Sequence, residues 1–195
     1  MPRPVRLPAP ARRRQLLDVA LEAFAVGGFD RTSMDDIAEG AGVTKPVLYQ
    51  HFRSKHALYL ELLDDVGGQL LDAITKATAA ATGPRQQVEA GFYAYFTFVN
   101  DQALAFRLLF GSGNRRDRSF SAAVHRVEEA IADAIAALIE ADIDTEHRRL
   151  LANGIVGLAE GTGRHWVSSG LDLDPDEVAR RIADLAWAGL RGIRP

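Results

Sequence analysis

Cysteine is absent from this 195-residue sequence, and so are long apolar runs. Without cysteine the chain has neither a disulfide framework nor a cysteine-based zinc site, so a reducing compartment is the compatible one. No run approaches the roughly 18 apolar residues of a membrane span. The basic start, MPRPVRLPAPARRR, is not followed by an apolar stretch that could form the core of a signal peptide. We therefore expect a soluble, cytoplasmic protein that has no membrane partner.

Recognisable catalytic motifs are missing as well. The sequence contains no HExxH, no GxSxG and no P-loop, and its five histidines do not form a close metal-binding spacing. With 47% apolar residues, the chain can nevertheless bury a substantial core. We expect a globular protein that is not an enzyme and that carries neither a cofactor nor a metal.

Positive charge is in slight deficit overall but is concentrated near the start of the chain. The formal net charge is −3, yet residues 1–56 contain nine Lys or Arg against six Asp or Glu, whereas residues 57–195 contain fourteen against twenty. A basic segment joined to an acidic remainder is typical of a head that binds a polyanion and a body that does not touch it. A solvated basic tail is the alternative, and charge alone does not separate the two.

Apolar residues recur at helical spacing through nearly the whole chain, and no segment shows the period-two alternation of a strand. One stripe in residues 16–24 ends at the pair Gly27-Gly28. A longer stripe in residues 58–77 contains a second pair, Gly67-Gly68, where the helix could bend. The pattern predicts an all-α protein of about nine helices. Beyond the turn region discussed next, helices are expected at about residues 85–100, 102–110, 117–141, 146–168 and 175–191.

The segment TSMDDIAEGAGVTKPVLYQHF, residues 32–52, predicts two short helices joined by a tight turn. Thr32 or Ser33 can cap the first helix, and Gly42 suits a left-handed turn after it. Thr44 can cap the second helix. Two helices joined in this way form a helix-turn-helix. The apolar residues expected to point inward are Met34, Ile37, Ala38, Ala41, Val43, Leu48 and Phe52.

The second helix would keep an exposed face that suits DNA. Lys45 can donate to guanine or to phosphate, and the apolar Pro46 and Val47 can contact thymine methyl groups. An ordinary helical hairpin is the alternative for the segment as a whole. Tyr49 could instead pack at the rim of the head, and His51 could only cap the end of its helix. The side chains able to donate to phosphate oxygens are Tyr49, His51 and Lys55.

This motif resembles the DNA-binding signature of the TetR family of transcriptional repressors. The resemblance implies a dimer with three DNA-binding helices in residues 1–56 and a six-helix regulatory and dimerisation body in residues 57–195. Many family members have a small residue or glycine where Pro46 stands, so one backbone amide that could bond DNA is missing here. The resemblance is carried by Thr32, Ile37-Ala38, Ala41-Gly42-Val43, Thr44, Leu48-Tyr49, His51-Phe52, Lys55 and Leu58.

The resemblance also implies roles for individual positions. Bases would face Lys45, Pro46 and Val47. Phosphates would face Thr44, Tyr49, His51 and Lys55. The full set of candidate DNA contacts is Thr32, Ser33, Thr44, Lys45, Pro46, Val47, Tyr49, His51 and Lys55.

The body is unusual for its aromatic content. Seven of the fifteen aromatic residues lie within residues 92–110, and they occupy more than one side of a helix. Core packing explains some of them, and a cavity for an apolar ligand would explain the excess. Glu160 and His165 are further polar residues that could orient a ligand. The main ligand-contact candidates are Phe92, Tyr95, Phe96, Phe106, Arg107, Phe110, His125, Asn153 and Trp166.

The last two helices carry apolar stripes and small residues that suit a contact with a second copy of the chain. The candidate dimer residues are Leu150, Gly154, Leu158, Gly161, Ile182, Leu185, Ala186 and Leu190.

Taken together, these patterns predict a ligand-responsive DNA-binding regulator. We expect a homodimeric repressor that a small apolar effector releases from a near-palindromic operator in double-stranded DNA. A helical lipid or small-molecule carrier, or a scaffold dimer, is the alternative, and it would leave Lys45, Tyr49 and Lys55 without a reason. A helical enzyme would account only for the cavity.

Overall fold

The computed structural model describes residues 7–111 and 117–193, and all regular structure in those two ranges is α-helical. The predicted all-α class is therefore confirmed. The helices are α1 (Ala9–Gly27), α2 (Met34–Gly40), α3 (Lys45–His51), α4 (Lys55–Ala79), α5 (Pro84–Asp101), α6 (Ala103–Phe110), α7 (Arg118–Ala136), α8 (Thr145–Ser169) and α9 (Pro175–Leu190).

The first three helices form the head, and local chemistry sets the turn between α2 and α3. Ser33 and Asp36 form a capping box, in which each side chain accepts a hydrogen bond from the other residue's backbone N–H group. Gly42 has a φ of 63°, the left-handed conformation that favours glycine. The N–H group of Val43 donates to the carbonyl of Ala38 at 2.9 Å and closes the turn. The head core includes Leu16, Ala20, Ile37, Leu48 and Phe52.

α4 starts in the head and ends in the body. The hydroxyl of Ser54 accepts a hydrogen bond from the N–H group of Ala57 and caps its start. The helix then runs for 25 residues without interruption through the pair Gly67-Gly68. The predicted division between residues 56 and 57 thus falls within the first turn of a helix that both parts share.

α7 is shorter than the sequence pattern predicts. Its expected end was near residue 141, whereas the helix ends at Ala136. The N–H group of Leu138 donates to the carbonyl of Ile135, only three residues back, which is the tighter pattern of a helix end. Asp144 then caps α8. The apolar residues between the two helices belong to a connection, which periodicity alone did not distinguish from a further helical turn.

In the body, α4 packs against α5 and α7, while α5 packs against α9 and α7 packs against α8. α1 packs on α4 and α6, so the head and the body share one continuous apolar core. Within residues 7–111 and 117–193, no helix combines the length and apolar character that a membrane span needs.

Candidate DNA-binding surface and ligand cavity

The outward face of α3 is exposed, as the motif predicts. Leu48 is fully buried on the inward side, whereas Tyr49 is 44% exposed. This helix therefore presents both apolar groups and hydrogen-bond donors to solvent. The exposed positions are Lys45, Pro46, Tyr49 and Gln50, and the half-buried positions at the edge are Val47 and His51.

Lys45 is exposed but has an acidic partner. Its Nζ atom lies 2.9 Å from a carboxylate oxygen of Asp35 on α2. This hydrogen bond raises the pKa of Lys45 above its ordinary value, so the side chain is charged at neutral pH. A base or phosphate of DNA must compete with Asp35 for the ammonium group.

The two predicted cap residues have different roles. Ser33 is engaged in the capping box of α2, so its hydroxyl already accepts a hydrogen bond from the protein backbone. Thr44 stands at the N-cap position of α3, yet its side chain makes no capping hydrogen bond, so the predicted cap position is confirmed but a side-chain cap is not formed. Its exposed hydroxyl is left at the start of α3, where a helix favours an anion such as phosphate.

Thr32 and Lys55 are engaged inside the head. Thr32 is buried, and its hydroxyl lies 2.9 Å from the carbonyl oxygen of Gly28 and 3.1 Å from that of Ala23. The ammonium group of Lys55 donates to the carbonyls of Phe29 at 2.8 Å and Thr32 at 3.0 Å, and it lies 4.4 Å from the centroid of the Phe29 ring. Both side chains already have partners within the head, and a DNA contact would have to compete with these partners.

Arg53 is a candidate DNA contact that the motif did not single out. It follows α3 directly and is exposed, and no described residue accepts a hydrogen bond from its guanidinium group. A guanidinium group can bind phosphate through two parallel hydrogen bonds. The sequence signal that could have identified it is its place between α3, the recognition helix of the motif, and Ser54, the cap of α4.

Ion pairs join α1 to α4 across the boundary between head and body. Arg13 pairs with Glu61, and Arg14 donates to both carboxylate oxygens of Asp65 at 2.7 and 2.9 Å. Both pairs lie within the first three turns of α4. A tilt of α4 would therefore move α1 with it.

Aromatic contacts join the head to the start of α7. The ring of Phe120 lies 4.8 Å from Phe29, 4.9 Å from His56 and 4.4 Å from Tyr59, measured between ring centroids. Nε2 of His56 also lies 2.8 Å from Oγ of Ser119. The first turns of α4 and α7 and the loop after α1 thus form one packed joint.

A cavity of about 290 Å³ lies in the body among α4, α5, α7, α8 and α9. Ligand pockets usually measure roughly 300 to 1,000 Å³, so this one suits a small compound. Its walls are mainly apolar, and its polar wall residues include Gln87, Glu128 and Glu160. Ile74 contributes to the wall from α4, the helix that begins in the head.

Comparison with known proteins identifies the two parts of the chain. Residues 16–62 match the family described as bacterial regulatory proteins, tetR family, and residues 84–189 match the tetracyclin repressor-like C-terminal domain. The chain belongs to the TetR family of transcriptional regulators. It is a DNA-binding regulator, and the helix-turn-helix of α2 and α3 is the DNA-binding part of such proteins.

Individual relatives of the same family are similar to this chain over nearly its whole length. The HTH-type transcriptional activator FasR of Mycolicibacterium smegmatis is 37% identical over 187 residues, which cover 95% of this chain and 85% of the relative. The HTH-type transcriptional repressor KstR2 of the same organism is 28% identical, with coverage of 95% and 80%. The crystal structure of a TetR-like transcriptional regulator from Rhodococcus sp. RHA1 has a TM-score of 0.79 at 29% identity, with coverage of 96% and 100%.

The cavity of this TetR family chain is lined by only part of the predicted ligand set. Phe92, Tyr95 and Phe110 contribute to its walls, as does Glu160. α5 is aromatic on several sides, and only the side towards α7, α8 and α9 reaches the cavity. The predicted residues outside the wall are the buried Phe96 and Phe106, Trp166, which packs on Phe96, and the exposed Arg107, His125, Asn153 and His165.

The surface of α8 and α9 exposes several large apolar side chains. Leu150 is 71% exposed and Leu185 is 59% exposed. A Cβ atom added at Gly154 would meet nothing within 4 Å, so this face is open to a close approach. Two predicted dimer residues are placed elsewhere: Ala186 is buried within its own chain, and Leu190 lines the cavity. The half-buried members of the predicted set are Leu158, Gly161 and Ile182.

Proposed function

We propose that this TetR family regulator is a homodimeric repressor that a small apolar effector releases from a near-palindromic operator. The observation that carries the proposal is the course of α4. Tyr59, near its start, packs on Phe24 of the head with ring centroids 5.0 Å apart. Ile74 and Thr78, near its end, line the cavity. One rigid element therefore connects the DNA-binding head with the ligand cavity.

A dimer follows from the needs of DNA recognition and from the apolar surface. One recognition helix contacts too few bases for a specific site, and symmetric operators match two-fold symmetric proteins. Four of the seven large apolar residues exposed in the described ranges lie on α8, on α9 or between them, which supports a contact between copies there. Two α3 helices would enter major grooves about 34 to 36 Å apart, or slightly more.

The proposed switch is a change in the tilt of α4. If the occupied cavity favours a tilted α4, the spacing of the two α3 helices changes and both can no longer fit DNA together. Thermodynamic linkage between the two binding sites requires that operator DNA weaken effector binding by the same factor by which the effector weakens DNA binding. This factor is commonly about 5- to 150-fold.

The test begins with selection of bound sites from random DNA fragments, followed by a screen of small apolar compounds for release of the selected site. A releasing compound is then titrated calorimetrically into the protein with and without operator DNA. We expect the two dissociation constants to differ by the factor measured for DNA release. Equal constants would remove the proposed switch, and the absence of any selected site would favour the carrier or scaffold alternative.

Transcriptional activation is a second candidate, because the 37% identical relative FasR carries the name of an activator. A reporter gene placed downstream of the selected operator distinguishes repression from activation. Deletion of the regulator should raise expression if it represses and should lower expression if it activates. Lys45→Ala serves as the control because it should abolish either effect without removing the protein.

A further inference from the structure

Gln50 lies on the outermost side of α3. Leu48 is fully buried and marks the inward direction of this helix. Because successive residues of an α-helix are about 100° apart, Pro46 and Gln50 both lie roughly 160° from Leu48. Both are exposed, whereas Val47 and His51 at the edges of the helix are half-buried. When a recognition helix enters a major groove, the side opposite its buried face is the side turned towards the bases.

The side chain of Gln50 is free to bind a base. No residue within 7–111 and 117–193 forms a hydrogen bond with its amide group. Lys45, the other long polar side chain at the start of α3, donates to Asp35 at 2.9 Å. Pro46, on the same outer side as Gln50, has no backbone N–H group. A base that binds Gln50 therefore displaces no hydrogen bond among the described residues.

The chemistry of an amide selects one base. The glutamine side chain carries an NH₂ donor and a carbonyl acceptor in one plane. Adenine presents the complementary pair in the major groove, with N7 as the acceptor and the N6 amino group as the donor. Guanine presents two acceptors there, N7 and O6, and so leaves the amide oxygen without a donor.

We propose that Gln50 is a specificity-determining residue that reads an adenine in the major groove through the N7 and N6 atoms of the base. The exposed ring of Pro46, one turn earlier on the same side, then meets the neighbouring base pair, where a thymine methyl group is the complementary contact. This role depends only on DNA binding, and not on the proposed effector, dimer or direction of regulation.

The test uses the full protein and the DNA site selected from random fragments. Fluorescence anisotropy measures the dissociation constant for that site and for sites with each of the other three bases at one position. We expect a position at which the parent prefers adenine by about 5-fold or more. Gln50→Ala should lose the preference at this position and keep the preferences at the others.

A change in the DNA alone gives an independent readout of the same contact. Replacement of that adenine by 7-deazaadenine removes the N7 acceptor and keeps the base pair. The parent should bind the altered site about 3- to 10-fold more weakly, the usual effect of one neutral hydrogen bond. Gln50→Ala should bind both sites equally, because it no longer donates to N7.

Two further variants complete the comparison. Gln50→Arg should prefer guanine at the same position, because arginine donates to both guanine acceptors. Gln86→Ala removes an exposed glutamine from α5, outside the head, and should leave every base preference unchanged. Thermal unfolding of each variant checks that its fold is retained, as expected for substitutions at exposed helix positions.

Three results would overturn the proposal. The first is a Gln50→Ala protein that keeps every base preference of the parent. The second is an equal loss of affinity on all sequences, which would make Gln50 a phosphate contact. The third is a parent without any preference for adenine. A site that is read through Gln50 but is released by no compound would contradict the proposed function and leave this role intact.

Discussion

At the scale of single residues, the contacts of Lys55 within the head predict that this motif lysine stabilises the head. Its ammonium group joins the start of α4 to the loop after α1 through two carbonyl oxygens and the ring of Phe29. Hydrogen bonds from a charged donor contribute about 1.5 to 3 kcal/mol, and the contact with the ring adds to that. The loop that carries Phe29 also contacts α7, so this lysine supports the joint between head and body.

Lys55→Ala should therefore lower the free energy of unfolding by about 1 to 2 kcal/mol, measured by urea denaturation. Lys45→Ala is the matched control, and its stability should be close to that of the parent because Lys45 pairs only with Asp35 at the surface. If Lys55→Ala keeps full stability but reduces the salt dependence of DNA binding by about one unit, Lys55 is a phosphate contact as the motif implied.

Asp35 should reduce DNA affinity by holding Lys45. Asp35→Asn releases the ammonium group and should strengthen operator binding roughly two- to fivefold at low salt, with less effect at high salt. Glu39→Gln is the comparison, because it removes the same charge from an exposed position on α2 that does not pair with Lys45. Equal gains in both variants, measured by fluorescence anisotropy, would show that only the overall charge of the head matters.

At the scale of helices, α4 and α7 pack tightly at Gly67. A Cβ atom added there would lie 2.2 Å from Cγ2 of Val127, so the Val127 side chain or one of the two helices would have to shift. Val127 precedes Glu128 and Ile131, which line the cavity, while α4 continues to the head. This contact is thus a point at which cavity shape and the tilt of α4 affect each other.

Gly67→Ala should destabilise the protein by about 1 to 3 kcal/mol through overpacking, and it should change the ratio of operator affinities with and without effector. Val127→Ala in the same chain should restore part of the stability, because it removes the methyl groups that clash. Gly68→Ala is the control. A Cβ atom there meets nothing within 4 Å, so this exposed helix position should gain up to about 1 kcal/mol. A stable Gly67→Ala protein with unchanged coupling would contradict the role given to this contact.

At the scale of the whole molecule, the exposed leucines of α8 and α9 predict how two copies meet. Leu185→Glu places a charge on this surface and should raise the dimer dissociation constant at least about tenfold, since burying an unpaired charge is strongly unfavourable. Val26→Glu changes another exposed apolar residue, on α1 and 75% exposed, and should leave the dimer intact. Sedimentation velocity measures both. A parent protein that is monomeric at micromolar concentration, free and on DNA, would contradict the dimer.

The sequence by itself determined the helical class, the position of the helix-turn-helix and the concentration of positive charge in the head. These features depend on neighbours within a few residues. Gly42 sets the turn because only a left-handed conformation closes it, and Leu48 and Phe52 are buried because their spacing places them on one side of the chain. The extent of α7 was less predictable, because the apolar connection after Ala136 has the composition of a helix.

Only the tertiary structure decided which side chains meet across helices. Phe92 and Tyr95 reach the cavity while Phe96 is enclosed in the core, although all three belong to the same aromatic run on α5. Lys55 likewise has its partners more than twenty residues away, in a loop whose position depends on the packing of α1 against α4. Helical periodicity predicts the sides of each helix, but it carries no information on which other helix covers each side, because that depends on how all the buried surfaces fit together.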